Sequence, residues 1–483
     1  MPGRWRFRSD VLRDVAYDSL AKRERQRLHL RVANKLSAPE ELDRFPRTVA
    51  YHLEHAAQAA LDLNPGDRAL AERAVEALAR AGDIARRRIE SRAAADLYER
   101  ALALAGPEDA WGEREGGILS MHGEARYWLG EFDLAEESLR RALALDGGDE
   151  IEAHAARFLG DISLTIRGDD HLASALFDRA LTAARRLGAP HVLARTLLMA
   201  AWVPFWRNEL GRADEMFREA LEVARGGRGR DAWAESRALS GLATVTSMGG
   251  DEQVALDLAL EALRVGEAAG QAFTAAIAHG AVTSSLRRML RLDEALSHGG
   301  EAVRTLRELG ARWELASALG DRGAVHRLAG RLEDAEADLR EAFVLCRDLK
   351  ERALVAWTSA ELARLLAIRG DAAGARAVLS DPAARIAEGE SGSTTALLVA
   401  EAVVALVEGD RDTARAKSIA SIEAESNGRG SPNTAAAQVW WTARLFGDDA
   451  AGGAHAVRDA RERLEHNGWR QALREPELAA DLG

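Results

Sequence analysis

The sequence has few of the residues that build covalent crosslinks, thiolate metal centres or membrane spans. Cys346 is the single cysteine among 483 residues, so the chain can form no internal disulfide and no zinc or iron–sulfur site with several thiolates. The longest apolar run, residues 395–407, is too short to cross a bilayer and contains Glu401. No apolar signal core follows the first residues. We therefore expect a cytoplasmic protein without a membrane span.

Positive charge in blocks is also missing. The formal net charge is -12, and only four of the 65 basic residues are lysines. No basic stretch has the density that follows phosphates, and neither a helix-turn-helix nor the phosphate-binding pattern G-x-x-x-x-G-K-[ST] is found. The sequence thus predicts that this chain binds no nucleic acid.

What the sequence does contain is a repeat of about 40 residues. Each copy has a turn residue, a small residue five positions later, an apolar residue four further on and a small residue three beyond that, as in Gly330, Ala335, Leu339 and Ala342. The last three share one helix face, and small residues there allow a second helix to come close. The first small residues of the successive copies are Ala94, Ala135, Ala173, Ala213, Ala255, Ala295, Ala335, Ala375 and Ala414.

A period held over more than 300 residues predicts an all-α fold, a right-handed α-solenoid of about nine or ten helical hairpins. We expect a helical segment over residues 1–66, the array over 67–450, and a capping helix with a tail over 451–483. The spacing of the small and apolar residues favours tetratricopeptide (TPR) hairpins with lengthened helices. HEAT-like hairpins have a similar period and are the alternative.

Three phrases near the N-terminus carry a family resemblance. They read F-R-x4-R-D-V-A-Y-x-S-L from Phe7, R-x2-L-H-x2-V-A from Arg25, and A-Y-H-x-E-x-A from Ala50. This segment resembles the region that leads from a winged helix into TPR repeats in STAND-class bacterial regulatory ATPases, the large adenylate-cyclase-like and LuxR-type regulators. Ser9 stands where members often carry histidine. The resemblance implies the sensor part of such a regulator without its ATPase core.

Aromatic and arginine residues supply the candidate binding site. In TPR proteins the inner wall is formed by the first helix of each hairpin, the A helix, and the offsets of inner positions from the turn residue select one set here. The set is Tyr127, Trp128, Trp202, Phe205, Trp206, Arg237, Arg287, Arg288, Arg327, Trp357, Arg364, Trp441 and Arg444. Either these side chains pack between repeats and pair with acids, or they line a groove in which rings anchor a ligand and arginines meet its carboxylates. Pro204 should kink the A helix that contains it.

No catalytic constellation stands out. His52 and His55 are too close in sequence for a paired zinc site, and Cys346 lies among apolar residues that predict burial. The sequence therefore predicts no enzyme activity, no metal and no cofactor. Our leading hypothesis is a non-catalytic protein-interaction or sensor repeat of a signal-transduction or transcription regulator, with a protein or peptide partner of acidic character. A self-associating, homo-oligomeric scaffold is the alternative, and an enzyme with an unrecognised site is a third reading.

Overall fold

The computed structural model describes most of the chain, and its described residues form only helices and the turns that join them. The described ranges are 9–36, 44–66, 68–105, 113–145, 147–226, 230–384, 391–426 and 431–480. The chain divides into two compact units, Met1–Ala155 and Ala156–Gly483. Across the described ranges, no helix is both long and apolar enough to cross a membrane.

The first unit begins with helices that precede the repeat and continues into hairpins. Its helices are α1 (Asp10–Asp18), α2 (Lys22–Lys35), α3 (Pro46–Leu63), α4 (Ala69–Arg87), α5 (Ser91–Ala105), α6 (Glu113–Trp128), α7 (Phe132–Ala144) and the start of α8 (Gly148–Ile162). The boundary predicted near residue 66 falls between α3 and α4; the wider division into three segments stays a prediction.

The second unit continues the hairpins and ends with a helix that was not predicted. After α8 and a π-helical turn at Ser163–Arg167, its helices are α9 (Asp170–Leu187), α10 (Pro190–Ala200), α11 (Trp202–Trp206), α12 (Leu210–Gly226), α13 (Ala232–Gly249), α14 (Glu252–Ala268), α15 (Ala272–Arg288), α16 (Leu292–Leu309), α17 (Arg312–Leu328), α18 (Leu332–Leu349), α19 (Arg352–Ile368), α20 (Ala372–Leu379), α21 (Ser391–Val407), α22 (Arg411–Ser426), α23 (Pro432–Phe446), α24 (Ala454–His466) and α25 (Arg470–Ala480). Pro204 breaks one A helix into α10 and α11, because it offers no N–H to continue the ladder.

A single residue sets the turn from the A helix to the following B helix of a hairpin. Gly330 adopts φ 74°, in the left-handed region that glycine enters without penalty. At the equivalent turns Asn208 and Leu290 adopt φ 58°, a conformation that costs a leucine roughly 1–2 kcal/mol. The turn geometry is therefore required by the hairpin even where the sequence supplies no glycine.

Buried alanines hold the two helices of each hairpin together. All nine alanines predicted to begin the contact face, from Ala94 to Ala414, are 0% exposed. In the repeats of Ala135 and Ala335, the leucine four positions later fills a gap above a glycine of the A helix. A methyl group on Gly123 would lie 2.5 Å from Leu139 Cγ, and one on Gly323 would lie 2.7 Å from Leu339 Cγ. The repeated sequence pattern therefore reflects close packing of side chains against the backbone of the facing helix.

We expect Gly323→Ala to lower the thermal unfolding midpoint. The added methyl group would overlap Leu339, at a cost of about 1–3 kcal/mol. Gly300→Ala in α16 is the matched control, because a Cβ there meets nothing within 4 Å and alanine favours the helix by about 1 kcal/mol. Thermal unfolding of the full chain, followed by circular dichroism, distinguishes them. A rise of the midpoint in both variants would contradict the packing argument.

Candidate functional site

Four arginines of the predicted set lie together on successive A helices of the second unit. Arg287 and Arg288 end α15, Arg327 lies near the end of α17, and Arg364 lies in the last two turns of α19. The 40-residue period places Arg287 and Arg327 at equivalent positions of neighbouring A helices. We call the surface that these four side chains share the arginine face.

Two of these arginines bind two carboxylates in a buried cluster. Arg327 Nε donates to Glu361 at 3.0 Å, and Arg327 Nη2 donates to Glu475 at 2.8 Å. Arg364 donates from Nη1 to Glu361 at 2.9 Å and from Nη2 to Glu475 at 2.8 Å. The Arg327 side chain is only 3% exposed and that of Glu475 only 14%. Each glutamate therefore bridges two guanidinium groups with little water around it.

The buried cluster stays ionised because its charges compensate one another. Burial alone would raise the pKa of Glu475, but the charges of Arg364 and Arg327 outweigh it and lower that pKa to about 2. Burial likewise opposes ionisation of Glu361, yet the same arginines keep its pKa below the ordinary value. The two glutamates in turn raise the pKa of Arg327 against the effect of burial.

The other two arginines contact α25, the helix that contains Glu475, and the residue just before it. Arg287 contacts Gln471, and Arg288 contacts Trp469. Arg287 Nη1 donates to Gln471 Oε1 at 2.6 Å, and the guanidinium lies 3.6 Å from Asp321. The Arg288 guanidinium lies 5.2 Å from the centre of the Trp469 ring, a cation–π distance. Burial raises the pKa of Asp321, although Arg287 and Arg288 oppose the shift.

The partners Trp469, Gln471 and Glu475 show that α25 and the residue before it lie on the arginine face. The turn before α25 is anchored independently of those charges. Trp469 Nε1 donates to the Ser247 carbonyl at 3.1 Å, and the Asn467 carbonyl accepts from the Glu252 N–H at 3.0 Å. The sequence predicted one helix in residues 451–483. No local sequence pattern indicated α25 or its position on the arginine face.

Three polar atoms of this region are buried without a hydrogen-bond partner among the described residues. They are Trp441 Nε1, Arg287 Nε and Glu252 Oε1. Trp441 is 5% exposed, and its ring centre lies 5.8 Å from the Arg364 guanidinium. A buried donor without an acceptor costs about 1–3 kcal/mol. The arginine face therefore retains unused hydrogen-bonding capacity beneath α25.

The remaining predicted residues of the second unit lie elsewhere or pack between helices. The Trp357 ring fills the space above Gly320 of α17, so it is a packing residue between repeats. Trp202 contacts the Phe217 ring at 5.3 Å and Phe205 at 5.1 Å. Trp206 is 50% exposed. Arg237 lies near the carboxyl group of Glu314. Arg444 is exposed, and its guanidinium lies 5.7 Å from the centre of the Trp440 ring.

Tyr127 and Trp128 belong to the first unit. Tyr127 meets Phe132 edge to face at 5.7 Å and Trp128 at 5.1 Å. Both rings are half-buried. The first unit also has a cavity of about 930 Å³, whose lining includes Arg73, Arg80, Arg86, Arg87 and Arg114.

The histidines considered for metal binding form a hydrogen-bonded group in the first unit. His29 Nδ1 lies 2.8 Å from His52 Nδ1, and the Tyr17 hydroxyl lies 2.8 Å from His29 Nε2. Burial, with His52 and His55 nearby, lowers the pKa of His29 to about 4. No group of three or more His, Cys, Asp or Glu side chains in the described ranges could hold a metal ion. Cys346 is fully buried, and burial raises its thiol pKa.

Comparison with solved structures identifies the fold. A Rap protein complexed with competence and sporulation factor matches with a TM-score of 0.50 and 12% identity, over 74% of this chain and 99% of that chain. A STAND protein with a tetratricopeptide repeat sensor from Pyrococcus horikoshii matches with a TM-score of 0.42 and 15% identity, over 74% of this chain and 51% of that chain. The Rap conjugation gene regulator of plasmid pLS20, in complex with the Phr* peptide, gives 0.45 and 16%, over 76% and 98%.

No protein-family model matches the sequence. No curated protein matches it either. The structural likeness, together with the helix pairing, confirms the predicted all-α solenoid of TPR-like helical repeats. At 12% identity the likeness to the Rap protein concerns the fold alone.

We expect Glu475→Gln to weaken the docking of α25. The substitution removes the negative charge shared by Arg327 and Arg364, and loss of one partner from a buried ion pair costs about 3 kcal/mol. Hydrogen exchange of the backbone amides of residues 471–475 should then be about 100-fold faster at pH 7. Glu308→Gln on the exposed side of α16 is the control, since Glu308 is 65% exposed.

The same variant tests the pKa of Glu475. A carboxylate whose pKa falls from 4.5 to about 2 on folding stabilises the folded state above about pH 4.5, and this contribution is lost as pH falls towards 2. The protection of residues 471–475, corrected for intrinsic exchange rates, should differ between wild type and Glu475→Gln by a constant factor from pH 7 to 5. This ratio of wild-type to Glu475→Gln protection should decrease below pH 4.5. A factor independent of pH down to 3.5 would contradict the depressed pKa.

Proposed function

We propose that the chain is a non-catalytic interaction module whose arginine face binds a helical, carboxylate-bearing segment of a partner protein. The observation that carries the proposal is the way α25 is held. One glutamate accepts from two buried arginines, and one indole ring lies against a third. A ligand helix with an aromatic residue and a carboxylate about six residues apart would match this arrangement.

The chemistry of the face favours such a ligand. Guanidinium groups recognise carboxylates through geometrically defined, charge-assisted hydrogen bonds, which are worth roughly 1.5–3 kcal/mol each. Arg327 and Arg364 are held by Glu361 before any ligand arrives, so little side-chain entropy is lost on binding. The unused donors at Trp441 Nε1 and Arg287 Nε would gain an acceptor from a suitable ligand.

The fold and the N-terminal resemblance support a place in regulation. TPR-like repeats are interaction modules, and the matched Rap protein is complexed with competence and sporulation factor. The phrases from Phe7, Arg25 and Ala50 resemble STAND-class regulators. We therefore infer that the module is the sensor part of a cytoplasmic signal-transduction or transcription regulator. Self-association, the alternative drawn from the sequence, stays a prediction.

Display selection of random 15-residue peptides on the full wild-type chain tests the proposal. We expect enrichment of peptides that place Asp or Glu about two turns after an aromatic residue. Their affinity, measured by isothermal titration calorimetry, should fall at least tenfold in Arg327→Gln/Arg364→Gln, because the carboxylate loses both buried partners.

The matched control is Arg307→Gln/Arg340→Gln. It removes the same charge from two exposed arginines of the B helices α16 and α18, and the selected peptides should bind it as they bind wild type. Two outcomes would overturn the proposal: selected peptides without carboxylates, or affinities that respond to Arg307 and Arg340 instead of Arg327 and Arg364.

A further inference from the structure

We propose that residues 467–480 are a displaceable internal ligand of the arginine face, so that a partner segment binds by competing with the chain's own α25. The inference rests on the proposed function, and it adds regulation of the same site. It is built from the contacts of α25, the charge balance beneath it, and the turn that connects it to α24.

Over residues 470–475, the part of α25 whose side chains the structure describes, there is little apolar packing compared with the helices below it. Among its described side chains, Ala472 is buried and Leu473 partly buried, while Arg470 and Arg474 are exposed. The A helix α19, by contrast, buries a set that includes Val355, Ala356, Ala360, Leu362, Ala363, Leu365, Leu366 and Ala367. Segments with few buried apolar contacts open at low free-energy cost. Trp469, just before α25, is buried and adds a large apolar contact.

α25 is also a weak helix on its own. Pro476 falls inside it and has no N–H for the backbone ladder, a defect that costs about 3 kcal/mol in a helix interior. An isolated helix of this length is marginal in water even without proline. Its helical form therefore depends on contacts with the face and would be lost when those contacts break.

The array beneath is complete when α25 leaves. Arg327 and Arg364 keep their hydrogen bonds to Glu361, and Arg287 keeps Asp321 nearby. These are contacts within and between the A helices α15, α17 and α19, which follow the 40-residue period without α25. Release would therefore expose a formed site and would not unfold one.

The charge balance favours replacement of α25 by another carboxylate. Arg287, Arg288, Arg327 and Arg364 carry four formal positive charges, and they lie beside four carboxylates. The carboxylates are those of Glu252, Asp321, Glu361 and Glu475. Departure of Glu475 leaves one positive charge in excess on the face that the departure of α25 exposes. An acidic competitor is attracted to this charge and can pair with the two arginines at the position that Glu475 vacates.

The connection to α24 permits release without movement of the array. Asn467, Gly468 and Trp469 join the two helices, and Gly468 adopts φ 75°, which only glycine enters without strain. Rotation about this residue would carry α25 away from the face. The contacts that must break on the way include the Trp469 indole bond to the Ser247 carbonyl and the Trp440 indole bond to the Leu473 carbonyl.

Binding of a labelled peptide to full-length variants tests the inference. The probe is a fluorescein-labelled synthetic peptide of residues 467–480, and the readout is fluorescence anisotropy. Wild type should bind it weakly, because its own α25 is present at high effective concentration. Glu475→Lys places a like charge beside Arg327 and Arg364 and should bind the probe at least tenfold more tightly than wild type. The milder Glu475→Gln should be intermediate, and it keeps the test informative if the lysine variant fails to fold.

Two controls separate this inference from the proposed function. Glu465→Lys, at an exposed position of α24, should bind the probe as wild type does, and a probe carrying Glu475→Gln should bind the lysine variant more weakly. Equal probe affinity in wild type, Glu475→Gln and Glu475→Lys would overturn the internal ligand. If display-selected peptides still depended on Arg327 and Arg364, the proposed function would stand without it. If neither the probe nor any selected peptide depended on those arginines, both would fall.

Discussion

The close approach of helices at buried alanines is the constraint on which the rest of the structure depends. Ala295, Ala335 and Ala375 are 0% exposed, and each leaves room for a partner helix that a larger side chain would push away. Because the contact recurs every 40 residues, corresponding positions of successive A helices have the same orientation. Arg287 and Arg327 are such a pair. The arginine face is therefore a consequence of the period: packing sets the register, and the register brings the charges together.

The ionic cluster on that face is better understood as a specificity device than as a source of stability. Removing two arginines and two glutamates from water is expensive, and their attraction repays the cost only when geometry is good and the remaining donors are satisfied. Arg327 and Arg364 meet that condition through Glu361 and Glu475. A helix with its carboxylate one position away would leave these donors unpaired, so the cluster selects one register of the bound helix.

The features that recur with the 40-residue period could be predicted from the sequence, whereas the contacts outside the period could not. The turns at Asn208 and Leu290, the buried alanines and the A-helix arginines all follow from spacing, and the first two groups are confirmed by φ and burial. A glycine twelve residues before the buried alanine, as at Gly123 and Gly323, was present in the sequence and carried the same information. The contact of Glu475 with Arg327 spans 148 residues, and no local pattern encodes a pairing of that kind.

Of the two interpretations left open for the aromatic and arginine residues, packing between repeats and pairing with acids describes contacts such as those of Trp357 and Arg327. A groove for a ligand stays a prediction. Trp357 packs on Gly320 because a large ring between repeats fills a space that only a glycine leaves. Arg327 takes one carboxylate, Glu361, from the A helix of the next hairpin and a second, Glu475, from a helix outside the period. In this chain Trp357 is absorbed by the packing between hairpins, whereas Arg327 and Arg364 share a carboxylate of α25. The carboxylate of Glu475 thus completes the pairing that the period alone leaves unfinished.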